Sequence, residues 1–215
     1  MMPKNTARFA LGLCLMLGCA TAAAQEATEQ AAAVGSVEAG RTKSATCAAC
    51  HGVDGNSVTP DWPMLAGQHA SYIVKQLKAF KANERTDVTM KPFADMLSEQ
   101  DMLDVAAYFS AQTPSPKGAD PALVTLGQQV YRGGIPERGV PACIACHGPK
   151  GDGNPLAAYP RIGFQHAAYT TKQLNAYASG DRRSDVDLNQ MMRNVAELLF
   201  EDEIRALASY TQGLN

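Results

Sequence analysis

Apolar residues recur at helical spacing in each half of the chain, and no alternating polar and apolar run of convincing strand length occurs. Residues 71–84 place four apolar side chains on one helical face, and residues 98–111 begin with Ser-Glu-Gln-Asp, the pattern of a capping box. A short helix is predicted from Val37 into the first cysteine pair. Between these helices lie a Gly-, Asn- and Pro-rich loop over residues 52–63 and a loop that carries Met90. The fold class is therefore predicted to be mainly α.

The same order of elements occurs twice, which indicates the duplication of a whole domain. Residues 63–72 match residues 160–169, and Lys-Gln-Leu occurs at both 75–77 and 172–174. We assign the N-terminal domain to residues 37–112 and the C-terminal domain to residues 121–215. Residues 113–120 contain two prolines, which interrupt helices and strands, and form the predicted linker. Asp120-Pro121 is then expected to cap and open the next helix.

The N-terminus has the pattern of an export signal. Lys4 and Arg8 precede a short apolar run that ends in small residues, so residues 1–24 are predicted to be a cleaved signal peptide. The run is too short for a membrane span, although a retained N-terminal anchor is an alternative. Residues 25–36 are rich in Ala, Glu and Gln without an apolar period, which predicts a flexible leader. The expected location is the periplasm.

Two pentads carry the chemistry, Cys47-Ala48-Ala49-Cys50-His51 and Cys143-Ile144-Ala145-Cys146-His147. Cys-x-x-Cys-His is the attachment pattern of haem c. Two thiols one helical turn apart can each bond one vinyl group of the porphyrin, and the adjacent histidine can then bind the iron. Without the signal peptide, every cysteine belongs to a pentad. Two disulfides would use the cysteines but would leave the two histidines unexplained. Zinc is disfavoured because structural zinc sites usually bring their ligand pairs much closer together in sequence. The sequence thus predicts two covalently bound haem c groups.

The duplication also suggests the second axial ligand of each iron. Met90 and Met192 each lie 18 residues before a tyrosine that both halves share, whereas the other methionines have no methionine counterpart. We therefore predict the ligand pairs His51 with Met90 and His147 with Met192. A thioether favours reduced iron and suits an electron carrier. His69 and His166 also coincide in the repeat and are the alternative ligands, although a hydrogen bond at a helix start explains them as well.

Residues around the two sites have further expected roles. The imidazole of each pentad histidine needs a backbone carbonyl to orient it, and Pro60 is one candidate. Two aromatic pairs coincide in the repeat and are expected either to contact haem or to pack in the core: Trp62 with Tyr159, and Tyr72 with Tyr169.

Charge excludes some partners. The formal net charge is −2 and no basic cluster occurs, so neither nucleic acid nor an anionic membrane surface is expected as a partner. No small-molecule substrate is expected either. The predicted partners are redox proteins.

The pentads, the repeated Gln-His-Ala-x-Tyr blocks and the two methionine loops resemble those of the cytochromes c4, which are dihaem class I cytochromes c. The resemblance covers about residues 37–215. It implies two cytochrome-c-like domains related by approximate two-fold symmetry, with the haem propionate edges close together and His/Met ligation. It also implies electron transfer through the periplasm, often to a haem–copper terminal oxidase, in soluble or loosely membrane-associated form. One departure is Phe200, which replaces the capping Ser98 of the first half.

Two other functions compete with a carrier that has no catalytic residues. One is a cytochrome subunit of a periplasmic dehydrogenase, such as the flavin-containing sulfide dehydrogenases. The other is a dihaem enzyme such as a peroxidase, which needs one iron with an open coordination position. Dihaem thiosulfate-oxidising enzymes use a cysteine ligand, and no cysteine remains for that role.

Overall fold

The computed structural model describes residues 34–214. The predicted signal peptide and most of the leader lie outside these residues. The described part is helical and contains three isolated β-bridges but no strand. Its α-helices are α1 Val37–Lys43, α2 Ala48–His51, α3 Ala70–Lys81, α4 Met90–Met96, α5 Glu99–Ser110, α6 Val124–Gly133, α7 Ile144–His147, α8 Ala167–Ala178, α9 Met191–Ala196 and α10 Glu201–Gln212.

Helices α1 to α5 and α6 to α10 repeat one arrangement, which confirms the predicted fold class. The first helix of each half crosses the last one, α1 on α5 and α6 on α10. The long middle helix, α3 or α8, packs on that last helix as well. Each half has its own apolar cluster, centred on Met102 and Phe109 in the first half and on Tyr131 and Leu207 in the second. None of the helices in residues 34–214 is long and apolar enough to span a bilayer.

Two predicted segments differ from the structure. Met90 begins helix α4 instead of lying in a loop, because Pro92 falls in the first turn, where proline needs no hydrogen-bonded N–H. Helix α6 begins at Val124, not at Pro121. The Asp120 carboxylate accepts a hydrogen bond from Ala122 N at 3.0 Å and closes a turn ahead of the helix.

Helix α5 begins as predicted, with a capping box at Ser98. Ser98 Oγ accepts from Asp101 N at 3.1 Å, and the Asp101 carboxylate accepts from Ser98 N at 3.0 Å. Helix α10 keeps only the second of these bonds, because Phe200 has no side-chain acceptor; Glu203 Oε2 accepts from Phe200 N at 2.8 Å. At the start of α1, Ser36 of the predicted leader caps the helix and donates its N–H to Asp104 at 2.8 Å.

Two glutamines join the halves through matching hydrogen bonds. Gln68 Nε2 donates to Arg161 O at 2.9 Å, and its Oε1 accepts from Arg161 N at 3.0 Å. Gln165 bonds Met64 in the same way, at 3.1 and 2.9 Å. Because Met64 and Arg161 occupy equivalent positions in the repeat, the two pairs follow an approximate two-fold axis.

Candidate haem sites

The pentads form the short helices α2 and α7, which turn each histidine inward. His51 is 5% exposed and His147 is 8% exposed. Each Nδ1 lies 3.0 Å from a backbone carbonyl, that of Pro63 for His51 and that of Pro160 for His147. A carbonyl can only accept, so Nδ1 carries the proton and Nε2 is left with a free lone pair. The orienting carbonyl was predicted, but its residue is Pro63 and not Pro60.

Burial sets the protonation of these groups. It lowers the pKa of both His51 and His147, so each imidazole is neutral near pH 7, the form that binds iron. Burial also raises the pKa of the Cys47 thiol, and that of the Cys143 thiol to about 11. All four cysteines of the described part are free, which contradicts the disulfide alternative. No group of three His, Cys, Asp or Glu side chains in residues 34–214 is arranged to hold a metal ion.

One cavity of about 380 Å³ reaches both pentads. Its walls are mostly apolar and come from both halves. They include all four pentad cysteines, both pentad histidines, Met90 and Met192. The four aromatic residues singled out in the sequence, Trp62, Tyr72, Tyr159 and Tyr169, line the cavity as well.

The polar atoms left without partners test whether this cavity suits haem c. Among residues 34–214, three buried side-chain nitrogens have no hydrogen-bond partner: Gln76 Nε2, Arg161 Nε and Arg193 Nη2. All three are donors, and Gln76 and Arg161 line the cavity. Buried donors of this kind require acceptors. The two propionates of a haem are carboxylates that can supply them, while the thiols and imidazoles supply its covalent and axial bonds. The residues therefore fit the group.

Aspartates hold the start of both methionine segments. Asp87 accepts a hydrogen bond from Met90 N at 3.0 Å, at the first residue of α4. In the longer second segment, Asp185 accepts from Arg193 N at 2.9 Å, next to Met192. The structure thus brings each methionine into the cavity with its pentad, while the axial assignments themselves remain predictions.

The alternative ligands, His69 and His166, bond across the boundary between the halves. His69 Nε2 lies 2.7 Å from Asp152 O, and His166 Nε2 lies 2.9 Å from Ser57 O. Neither side chain lines the cavity. These contacts favour the interpretation as hydrogen-bonding residues at a helix start.

Sequence reasoning missed two cavity residues, Arg85 and Arg182. Both are buried, and within residues 34–214 neither has an ion-pair partner. Arg85 lies five residues before Met90, whereas Arg182 lies ten before Met192, so the insertion in the second half hid their equivalence. The matched Lys-Gln-Leu blocks were the available clue, because Gln76 and Gln173 bind these arginines.

Comparisons with known proteins agree with this geometry. A family model described as cytochrome c matches residues 37–112 and 124–215. Cytochrome c4 of Stutzerimonas stutzeri is 48% identical over 197 residues, covering 87% of this chain and 93% of the relative. The crystal structure of reduced recombinant cytochrome c4 from Pseudomonas stutzeri superimposes with a TM-score of 0.82 at 48% identity, covering 85% of this chain and 100% of that chain. A thiosulfate dehydrogenase electron acceptor of S. stutzeri (strain A1501) is 38% identical over 169 residues, 76% of each chain.

Two helical halves, two haem-attachment pentads and one shared cavity define a dihaem electron-transfer protein with the cytochrome c fold. It binds two covalent haem c groups and carries electrons instead of catalysing a reaction of its own. More narrowly, the chain belongs to the cytochrome c4 family.

Proposed function

We propose that this protein is a periplasmic carrier that passes electrons from respiratory donors to an acceptor such as a haem–copper terminal oxidase. In this proposal residues 37–112 and 121–215 are the two haem domains, joined by the linker 113–120. His51 and Met90 bind one iron axially, and His147 and Met192 bind the other. The observation that carries the proposal is that both halves place a carbonyl-oriented histidine and the matched methionine, Met90 or Met192, in the same cavity.

The residues of each half have the roles that a carrier needs. Haem c, when bound, supplies an iron that gains and loses one electron. The Pro63 and Pro160 carbonyls fix the plane and tautomer of the histidines. With haem bound, Met90 and Met192 would hold the coordination position that water or an exogenous ligand needs, and the apolar walls would keep water out. Six-coordinate iron in a rigid site changes little in geometry on reduction, which suits rapid electron transfer.

Spectroscopy of methionine variants tests the axial assignments. We expect two haems per chain and a far-red methionine–iron band in the optical spectrum of the oxidised protein. Met90→His and Met192→His should each remove part of that band, and EPR should show a new bis-histidine signal. Met96→His is the matched control, because Met96 is 70% exposed and does not line the cavity. A band unchanged in both Met90→His and Met192→His would contradict the assignment.

A second candidate is the electron acceptor of a specific periplasmic dehydrogenase. The similarity to a thiosulfate dehydrogenase electron acceptor favours this function. Stopped-flow mixing of the oxidised protein with a thiosulfate dehydrogenase and thiosulfate tests it. Fast reduction of both haems supports a dehydrogenase partner. Slow reduction there, combined with fast oxidation by terminal-oxidase membranes, supports the respiratory carrier.

Fractionation tests the location. Residues 1–24 predict export, so the N-terminal sequence of the purified haem protein should begin close to Gln25, and the protein should be recovered with the periplasm. A haem protein that retains residues 1–24 in the membrane fraction would support the anchored alternative.

A further inference from the structure

Two buried arginines meet where the halves join. Arg85 is 8% exposed and Arg182 is 3% exposed, and their backbones pair in an antiparallel β-bridge. Both line the cavity. Burying two like charges side by side is unfavourable unless anions or many hydrogen bonds compensate them.

The Arg85 side chain, which comes from the first half, contacts both halves. Its guanidinium carbon lies 4.5 Å from the ring centroid of Phe80 in its own half. Across the boundary, Nη2 donates to the Tyr169 hydroxyl at 2.5 Å and to Gln173 Oε1 at 2.9 Å. Its charge is therefore held between the two haem sites and not at one of them.

Arg182, which comes from the second half, makes the equivalent contacts with the first half. Its guanidinium carbon lies 4.5 Å from the ring centroid of Tyr177 in its own half. Its Nη2 donates to the Tyr72 hydroxyl at 2.6 Å and to Gln76 Oε1 at 2.8 Å in the first half. Thus each arginine stacks on its own half and donates hydrogen bonds to the other.

The two glutamine amides close the cluster. Gln76 Oε1 also accepts from Arg85 Nη1 at 3.0 Å, and Gln173 Oε1 also accepts from Arg182 Nη1 at 2.9 Å. Each amide oxygen therefore binds both arginines. Gln76 Nε2 donates no hydrogen bond to any described residue, so this buried donor of the cluster still lacks an acceptor.

We propose that Arg85 and Arg182 act as a single cationic unit that serves both haem sites and raises the reduction potential of both irons. The inference rests on the proposed carrier function. Reduction lowers the positive charge of an iron site, so a cation buried nearby favours the reduced state, and it does so strongly where the effective dielectric constant is low. Because each guanidinium bridges the halves, removing either one changes the field at both sites.

The test is a reductive titration of the holoprotein followed by NMR, which resolves the haem methyl signals of the two sites. Arg85→Met and Arg182→Met are each compared with wild type at pH 8, where propionates are ionised. Each substitution is expected to lower both reduction potentials. Arg85→Lys and Arg182→Lys keep the charge but can reach fewer of the amides, so they should lower both potentials by less.

Arg132→Met is the matched control. Arg132 also donates to a tyrosine hydroxyl, that of Tyr210 at 3.1 Å, but it does not line the cavity. Both potentials should stay at their wild-type values in this variant. If a methionine variant at Arg85 or Arg182 binds fewer than two haems, Arg85→Gln and Arg182→Gln, which remove the charge but keep a polar amide, are measured by the same criterion.

Two results would overturn the shared unit. One is a shift confined to the haem in the substituted arginine's own half, which would make each arginine a local residue. The other is the absence of any shift in the charge-removing variants that keep both haems. In either case a wild-type protein that takes up two electrons reversibly would keep its carrier function, so the two proposals fail separately.

Discussion

Gly40 of α1 and Gly127 of α6 lie where the first helix of each half crosses the last one. A Cβ added to Gly127 would lie 2.3 Å from the Ala206 carbonyl oxygen, and one added to Gly40 would lie 2.0 Å from the Asp104 oxygen. These contacts involve backbone, which cannot turn aside as a side chain can. The helices must therefore separate to admit even one methyl group.

Gly127→Ala should accordingly lower the stability of the holoprotein. Overpacking of this kind costs about 1–3 kcal/mol. Thermal unfolding followed by circular dichroism measures the loss. Gly118→Ala is the control, because a Cβ at Gly118 has no neighbour within 4 Å. Equal unfolding temperatures for Gly127→Ala and wild type would show that the crossing is looser than the structure indicates.

At the residue scale, what could be predicted followed from repetition. Each pentad predicts haem attachment without further information. Met90 and Met192 are distinguished from the other methionines because each lies the same number of residues before the tyrosine that both halves share. Arg85 and Arg182 could not be paired in this way. Their distances to the methionines differ, and only the fold brings the two side chains together.

At the scale of single elements, the start of α5 shows a local pattern that the fold retains. Ser98→Ala removes the acceptor for Asp101 N and should destabilise the holoprotein by about 1 kcal/mol, the usual effect of losing an N-cap. Chemical denaturation measures the change. Ser98→Asn, which keeps a capping oxygen, should restore most of the stability. An equal loss in both variants would argue against a capping role.

Helix α5 also carries a charge cluster that makes the first half sensitive to acid. Lys43 Nζ lies 2.5 Å from Asp101 Oδ1 and 2.6 Å from Asp104 Oδ2. These hydrogen bonds lower the pKa of Asp104 and lower the pKa of Asp101 to about 2. A carboxyl whose pKa is lowered by folding contributes its full stabilisation when the pH is above its pKa in the unfolded chain, about 3.9. That contribution is lost as the pH falls through the pKa of the same carboxyl in the folded protein.

We therefore expect the holoprotein to lose stability between about pH 4 and pH 2 through these two aspartates. Lys43→Met should unfold at a lower temperature than wild type at pH 6, and the difference should shrink as the pH falls through that range. Thermal unfolding at several pH values measures both curves. Lys91→Met is the control, since its ion pair with Asp95 is exposed and lies within one helix. A difference that is constant with pH would exclude the proposed linkage.

The errors in predicting elements have local causes. The sequence predicts a loop around Met90, yet Met90 begins α4, because Pro92 in the first turn is compatible with a helix. Asp120-Pro121 has the pattern of a helix start, but here the aspartate closes a separate turn. For Asp120-Pro121 the pattern of residue types is identified correctly, but the helix begins only at Val124.

At the scale of the whole molecule, Gln68 and Gln165 connect the halves through buried amides. Gln165→Ala removes both of its bonds to Met64, and also the one that its Oε1 accepts from His166 N, so the Met64 N–H and carbonyl lose these partners. Each unsatisfied buried group costs about 1–3 kcal/mol. Calorimetry of the holoprotein should show a lower unfolding temperature, or two transitions where wild type shows one.

Gln112→Ala is the control for this experiment. The Gln112 amide donates to backbone carbonyl oxygen of its own half, that of Tyr108 at 2.9 Å. Its loss should lower stability slightly without dividing the transition. If Gln165→Ala behaves like Gln112→Ala, the glutamine contacts do not hold the halves together.

The glutamine contacts also determine the symmetry of the interface between the halves. Gln68 and Gln165 bind the backbone N–H and carbonyl of the facing residue. These bonds therefore do not depend on whether the side chain of that residue is methionine, as at Met64, or arginine, as at Arg161. A single half carrying one such glutamine could make the same bonds with a second copy of itself. The interface between the halves therefore has the isologous form that two identical copies of one half would have. It keeps this approximate symmetry although the methionine segment of the second half is longer.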